Sequence, residues 1–259
     1  MTRSSGRRRA LEAAAGAERV LVLLDFDGTL ARAPRRPAAA RLDPSRLRLL
    51  RSLGRGRCRA ALVSGRGVDD LRAMVRAPAI ILAGAFGLEV RAPDWRWRHP
   101  AAAAARPALA ALARRLRRRL AGVPGAAVED KGAAVCLHWG AVAAENRRAL
   151  RRLLKRERRA AAALSWRVNG DSVEVSARAR WDKGRAALLL WRRLGRPFLV
   201  AIGNDRFDEP MLRAAQARGA AWRVGQGPSR ARLRLRGPAE AWRLLAELKR
   251  RLSQERAGD

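Results

Sequence analysis

An α/β fold, with a doubly wound and mainly parallel sheet core and an inserted small α+β cap, is what the sequence predicts. Three observations carry it. Short apolar runs near both ends are each followed by a small or polar turn, as strands buried on both faces should be. Helical patterns separate those runs, which is the alternation that builds a parallel sheet. The middle of the chain abandons the alternation for two long basic helices and about four short strands.

Taken in order, the core strands are expected at Val20–Leu24, 60–63, 80–82 and 198–202. Between the first two, Asp43-Pro44-Ser45 reads as an N-cap followed by Pro at the first helical position, opening a helix that stops near Gly54. Val68–Val75 and 183–194 read as further helices. The insert is expected to hold a long Ala/Arg helix over 99–122, strands near 126–129 and 133–139, a basic helix over 141–159, and strands at 165–168 and 172–175. Residues 1–98 and 176–259 should therefore form the core domain and 99–175 the cap.

Composition limits the function. An apolar fraction of 48% argues for a buried core in spite of 57 Lys and Arg against 23 Asp and Glu, a net charge of +34. Such a surplus suggests a polyanionic partner, yet Lys occurs only four times and Arg is spread along the whole chain. The bias reads as compositional, the dense runs at 114–119 and 147–159 as solvated helix faces, and no nucleic-acid partner is expected. Two cysteines, Cys58 and Cys136, make no disulfide scaffold and have no metal-ligand spacing, so both are read as packing residues of a protein in a reducing compartment. No apolar run approaches the roughly 18 residues of a membrane span, and the first apolar run ends at Asp25 after five residues, too short for a signal segment. A cytoplasmic monomer with no membrane contact is the expectation.

Leu23-Leu24-Asp25-Phe26-Asp27-Gly28-Thr29-Leu30 is the sharpest chemical signal. A buried strand that ends on two carboxylates at i and i+2, followed by Gly, exposes charge at the carboxyl edge of the sheet, where open α/β folds bind ligands. A plain turn has no need of two acids beside a core, because burying unpaired charge is expensive.

That segment resembles the first motif of the haloacid dehalogenase superfamily of phosphotransferases. Val63-Ser64-Gly65-Arg66, Asp182-Lys183-Gly184 and Gly203-Asn204-Asp205-Arg206-Phe207-Asp208-Glu209 resemble its second, third and fourth motifs, in the right order. Within the superfamily the chain is similar to the trehalose 6-phosphate phosphatases: Gly84-Ala85-Phe86-Gly87-Leu88-Glu89 resembles their G-x-H-G-x-E, Glu129-Asp130-Lys131-Gly132 with His138-Trp139 their E-x-K-G and H-Y-R, and Val173-Glu174-Val175 the strand before the motif-three lysine. The resemblance runs from about residue 20 to 250.

It implies hydrolysis of trehalose 6-phosphate through a phospho-aspartate. Asp25 would be the nucleophile and Asp27 the acid and base, with Ser64 and Lys183 holding the phosphoryl group. Mg²⁺ would be bound by Asp25, the Asp27 carbonyl, Asn204 and Asp208. Arg66, Glu129, Lys131 and Glu174 would bind the sugar phosphate. Two of the four lysines, Lys131 and Lys183, fall inside motifs, where a compact ammonium suits the chemistry better than a guanidinium. His138 alone reads as a satisfied core residue. Departures from the family pattern are Asn204 for Asp, Phe207 for Thr, Phe86 for His, Trp139 for Tyr, Gly140 for Arg and Ser176-Ala177 for Arg-Pro. Asn204 ligates without charge, so a raised Mg²⁺ requirement is expected. Two alternatives stay open: the same chemistry on another sugar phosphate, of glucosyl- or mannosyl-glycerol type or sucrose phosphate, and a catalytically degenerate homologue that binds polyanions.

Overall fold

The computed structural model describes residues 3–31 and 42–254. The ends of the expected core domain, 1–2 and 255–259, lie outside the described residues.

The chain order is α1 (Arg3–Ala15), β1 (Val20–Leu24), α2 (Pro44–Ser52), β2 (Cys58–Val63), α3 (Val68–Val75), β3 (Ile81–Gly84), β4 (Glu89–Arg91) and β5 (Arg96–Arg98). Then come α4 (Pro100–Leu120), β6 (Ala127–Asp130), β7 (Ala134–His138), α5 (Ala144–Ala160), β8 (Leu164–Asn169) and β9 (Ser172–Ala177). The chain closes with α6 (Lys183–Arg193), β10 (Phe198–Gly203), α7 (Glu209–Gln216), β11 (Gly219–Val224), β12 (Leu233–Leu235) and α8 (Pro238–Gln254).

Eight strands form the main sheet in the order β12-β11-β10-β1-β2-β3-β4-β5. The first six run parallel and β4 and β5 close the far edge as an antiparallel hairpin. Strand β1 lies in the middle and is buried throughout, because its Val and Leu side chains meet apolar helices on both faces. Val20, Val22 and Leu24 pack with Leu11 of α1, Leu50 of α2, Leu71 of α3 and Leu245 of α8. Leu21 and Leu23 pack with Leu190 of α6 and Met211 and Leu212 of α7. The period of two in the side chains thus divides one apolar run between two cores.

Helix α2 begins where the Asp43 carboxylate accepts the Arg46 N–H at 3.0 Å, with Pro44 next in the chain. Asp182 does the same for α6, accepting the Arg185 N–H at 2.9 Å. That cap makes Lys183 the first residue of α6.

The insert is a second sheet, in the order β6-β7-β9-β8 and antiparallel throughout. Helices α4 and α5 cover one face: Leu109, Leu112 and Leu116 of α4 and Leu150 of α5 share a core with Val135 and Leu137 of β7 and Val173 and Val175 of β9. The sheet continues to Ala177, which pairs with Leu164, so the insert ends two residues beyond the expected boundary at 175. It packs back on the core through small residues, Ala102, Ala133, Ala134 and Ala177 against Ala85 and Leu88. No helix among the described residues is long and apolar enough to cross a membrane.

Candidate active site

Strand β1 is the point at which strand order reverses: its neighbours are β2 on one side and β10 on the other. Open parallel sheets leave a crevice at the carboxyl end of such a strand. Asp25 follows β1, Ser64 follows β2 and Asn204 follows β10, so all three stand on this rim. Lys183 reaches it from the start of α6, where its Nζ donates to Asp25 Oδ1 at 2.7 Å and to Asp208 Oδ1 at 2.6 Å. All three side chains of this ion-paired group are buried.

Burial, with the Asp208 carboxylate close by, pushes Asp25 up to about 7 against the opposing pull of Lys183. The two acids hold the Lys183 ammonium well above its usual range, although burial works against it. The other Asp208 oxygen accepts the backbone N–H of Asn204 at 2.8 Å and of Asp205 at 3.1 Å. A Cβ on Gly203 would sit 2.5 Å from that of Asp208, so only glycine lets the end of β10 approach this closely. Asp205 folds its own loop by accepting the Phe207 N–H at 2.7 Å, and burial, with Asp208 nearby, raises its carboxyl.

Asp27 stands further out. Arg66 grips it by both oxygens, Nε to Oδ2 and Nη2 to Oδ1, each at 2.7 Å. Gly28 bends the chain here with φ of 84°, and a Cβ on it would strike the Asn204 amide.

The tip of Asn204 sits in a cluster of acceptors. Its outer amide atom lies 2.9 Å from both the Asp27 carbonyl oxygen and Asp25 Oδ2, and 3.0 Å from Thr29 Oγ1. With nitrogen turned inward, the amide donates to the first two. With oxygen turned inward, the amide oxygen faces the Asp27 carbonyl and Asp25 Oδ2 at 2.9 Å each, close to the ligand–ligand edge of an octahedral Mg²⁺ shell with bonds of roughly 2.1 Å. An all-oxygen set of this kind suits a hard cation. Both carboxylate oxygens of Asp208, by contrast, are engaged by Lys183 and backbone N–H groups.

Across the crevice lies the uncovered face of the insert sheet. Strand alternation that sends Val135 and Leu137 into the helix-covered core sends Cys136 and His138 towards the core domain. Lys131 links the two parts: its Nζ donates to Glu174 Oε2 at 2.9 Å and to the Gly65 carbonyl at 3.0 Å. Burial opposes its charge, but Glu174 more than offsets this and the ammonium is held above its usual range. His138 Nε2 lies 3.0 Å from Glu129 Oε2. Cys136 and Glu129 hold the imidazole up at about 9. Burial works against the Glu129 charge, yet His138 and Lys131 bring its carboxyl down to about 2.

Together these surfaces enclose a cavity of about 270 Å³ lined by both halves. It brings together Asp25, Asp27, Ser64, Arg66, Glu129, Lys131, Glu174 and Lys183. A groove of about 570 Å³ on the α5 side of the insert is larger, but it contains none of these residues. The cavity also contains residues the sequence reading left out or assigned elsewhere. Arg167 and Ser172 were not singled out, while His138 and Cys136, read as core packing, line the wall. Period-two alternation separates the last two from Val135 and Leu137, and the cover of α4 and α5 decides which of the two faces meets the cavity. Phe86 and Phe207, two departures from the family pattern, touch each other with ring centroids 5.4 Å apart. That contact spans 121 residues of sequence, and no local pattern announces it.

The fold is one shared with solved haloacid dehalogenase-like proteins. One such protein from Bacteroides thetaiotaomicron superposes with a TM-score of 0.60 at 16% identity, over 88% of this chain and 98% of that one. A trehalose-6-phosphate phosphatase related protein superposes more closely, with a TM-score of 0.81 at 20% identity over 91% and 99%. Residues 23–236 match the trehalose-phosphatase family, and the chain belongs to that family. It is similar to a trehalose-phosphate phosphatase of Mycobacterium tuberculosis, 37% identical over 202 residues, covering 73% of this chain and 49% of that protein. An uncharacterised glycosyl hydrolase of the same organism is 36% identical over 245 residues, covering 89% of this chain but 18% of its own length. The counterpart of the phosphatase in Mycobacterium ulcerans is 32% identical over 248 residues, covering 91% and 63%. The chain thus spans less than two thirds of the curated relatives it matches.

Proposed function

We propose that this protein is a Mg²⁺-dependent phosphatase that hydrolyses trehalose 6-phosphate to trehalose and phosphate. The observation that carries the reading is a single cavity with the Asp25–Lys183–Asp208 group and Asp27 on one wall and Glu129, Lys131 and Glu174 on the other. Carboxylates poised for phosphoryl transfer face charged groups suited to sugar hydroxyls, within a chain of the trehalose-phosphatase family.

Asp25 Oδ1, steadied by Lys183, attacks phosphorus, and the sugar oxygen leaves with a proton from Asp27. In the second displacement Asp27 takes a proton from water. The water oxygen attacks the phospho-aspartate, freeing phosphate and restoring the Asp25 carboxylate. Arg66 holds both Asp27 oxygens until a phosphoryl or sugar oxygen draws the guanidinium away, which leaves Asp27 free to exchange its proton. Ser64, which follows β2 and lines the cavity, would offer its hydroxyl to a phosphoryl oxygen, while its Oγ accepts the Arg66 N–H at 3.2 Å. Mg²⁺ held by Asp25 Oδ2, the Asp27 carbonyl and the Asn204 amide oxygen would neutralise the phosphoryl dianion beside two carboxylates and bring the raised Asp25 pKa back down. Asp208 we place behind Lys183, orienting the ammonium, and not in direct contact with the metal.

The test is a panel of sugar phosphates, with phosphate release measured at several Mg²⁺ concentrations. Trehalose 6-phosphate should give the highest kcat/KM, and Asp25→Asn should lower it at least about 10³-fold. Faster turnover of sucrose phosphate or a glycosyl-glycerol phosphate would move the assignment to that substrate. Retained turnover in Asp25→Asn would remove the nucleophile.

A further inference from the structure

The insert wall holds three side chains whose chemistry differs from that of the oxygen cluster in the core. Glu129 and Cys136 are directly paired across β6 and β7, and Cys136 and His138, two apart on β7, share the face that lines the cavity. One ligand atom from each, a carboxylate oxygen, the thiol sulfur and an imidazole nitrogen, lies within 4.8 Å of the other two. All three are anchored on paired strands, so the geometry is set by the sheet and not by a loop.

We propose that Glu129, Cys136 and His138 form a site for Zn²⁺ or a similar borderline transition-metal ion, separate from the hard-cation cluster at Asp25. Thiolate and imidazole favour Zn²⁺ over Mg²⁺, and three protein ligands leave a fourth tetrahedral position for water from the cavity. On binding, bonds form from the metal to sulfur, nitrogen and oxygen, the hydrogen bond between His138 and Glu129 breaks, and both the thiol proton and the proton that the imidazole carries at neutral pH pass to solvent. The separations, none above 4.8 Å and one of them 3.0 Å, are of the order of the roughly 3–4 Å between ligands of a tetrahedral Zn²⁺ site. Lys131, a cation of the same wall, is already paired with Glu174 at 2.9 Å. Because the same wall is the sugar side of the proposed reaction, the bound ion occludes the substrate. This last step rests on the phosphatase reading, whereas the binding site does not.

Cobalt separates the two claims. Titration of the full chain with Co²⁺ in the presence of Mg²⁺ should produce a sulfur-to-cobalt charge-transfer absorption that saturates near one equivalent. Cys136→Ser and His138→Gln should abolish it or weaken binding at least about tenfold. Cys58→Ser and Asp25→Asn should keep it. No such absorption in the wild-type chain, or one that persists in Cys136→Ser, overturns the site. Zn²⁺ at the concentration that displaces Co²⁺ should raise KM for trehalose 6-phosphate several-fold, and in Cys136→Ser the ratio of KM with and without Zn²⁺ should fall to about one. Unchanged KM at saturating Zn²⁺ overturns the occlusion. Absence of turnover on any sugar phosphate, with the absorption intact, overturns the phosphatase reading while supporting the site.

Discussion

Asn204 stands where the family carries an acid, and the structure shows what the exchange does to its surroundings. With nitrogen inward, the amide satisfies Asp25 Oδ2 and the Asp27 carbonyl without any ion; an inward oxygen would face the same two acceptors and would need a cation between them. A carboxylate there would add a third charge beside Asp25 and Asp208. We expect Asn204→Asp to lower the Mg²⁺ concentration for half-maximal activity several-fold, and to lower the thermal midpoint of the chelator-treated protein. An unchanged Mg²⁺ requirement would exclude Asn204 from the metal's shell. The two cysteines differ in the same local way. Burial pushes the Cys58 thiol up to about 12, so at pH 8 almost none is thiolate. Cys58 should remain unmodified when the native protein is treated with iodoacetamide at that pH, with mass spectrometry as the readout; rapid labelling would show that its strand opens readily.

Among the elements, the insert shows how helices are fixed to a sheet by more than apolar contact. Glu157 of α5 is buried, and it takes hydrogen bonds from Arg115 of α4 at 3.0 and 3.2 Å and pairs with Arg119 at 3.1 Å. The two arginines remain partly exposed, which weakens the pairs through solvent screening. Glu157→Ala should cost about 1–3 kcal/mol, chiefly through lost charged hydrogen bonds. Glu157→Met should cost less, since the arginines can turn to water while the thioether refills the space. Equal losses in denaturant melts of the two variants would show that volume, not charge, is what Glu157 supplies. On β7 the same sheet shows why the function of the insert was only half legible. Glu129, Lys131 and Glu174 stand in recognisable motifs, but Cys136 and His138 become wall residues only once the helices claim the Val135–Leu137 face.

At the scale of the whole molecule, a net charge of +34 accompanies a cavity proposed to take a sugar phosphate dianion. Long-range attraction of this kind raises encounter rates and is screened by salt over about 10 Å at 0.1 M. The kcat/KM for the sugar phosphate should therefore fall several-fold as NaCl rises, with kcat nearly constant; a flat profile would mean that the positive surface is directed away from the cleft. The architecture has two buried centres joined by a thin seam. Core and insert each have their own buried cluster, and they meet through alanines and the Lys131–Gly65 hydrogen bond.

The order and type of half of the core elements, the carboxylates after β1 and the ends of Val68–Val75 could be read directly from the chain, because apolar period, capping residues and strand-end acids act over a few neighbours. Other features required the folded molecule: the hairpin β4–β5 at the sheet edge, the contact of Phe86 with Phe207, the grip of Arg66 on Asp27, and the meeting of Glu129, Cys136 and His138. Each of these depends on which strands become neighbours and which face a helix covers. Pairing and packing between distant segments decide that, and no local stretch of sequence encodes it.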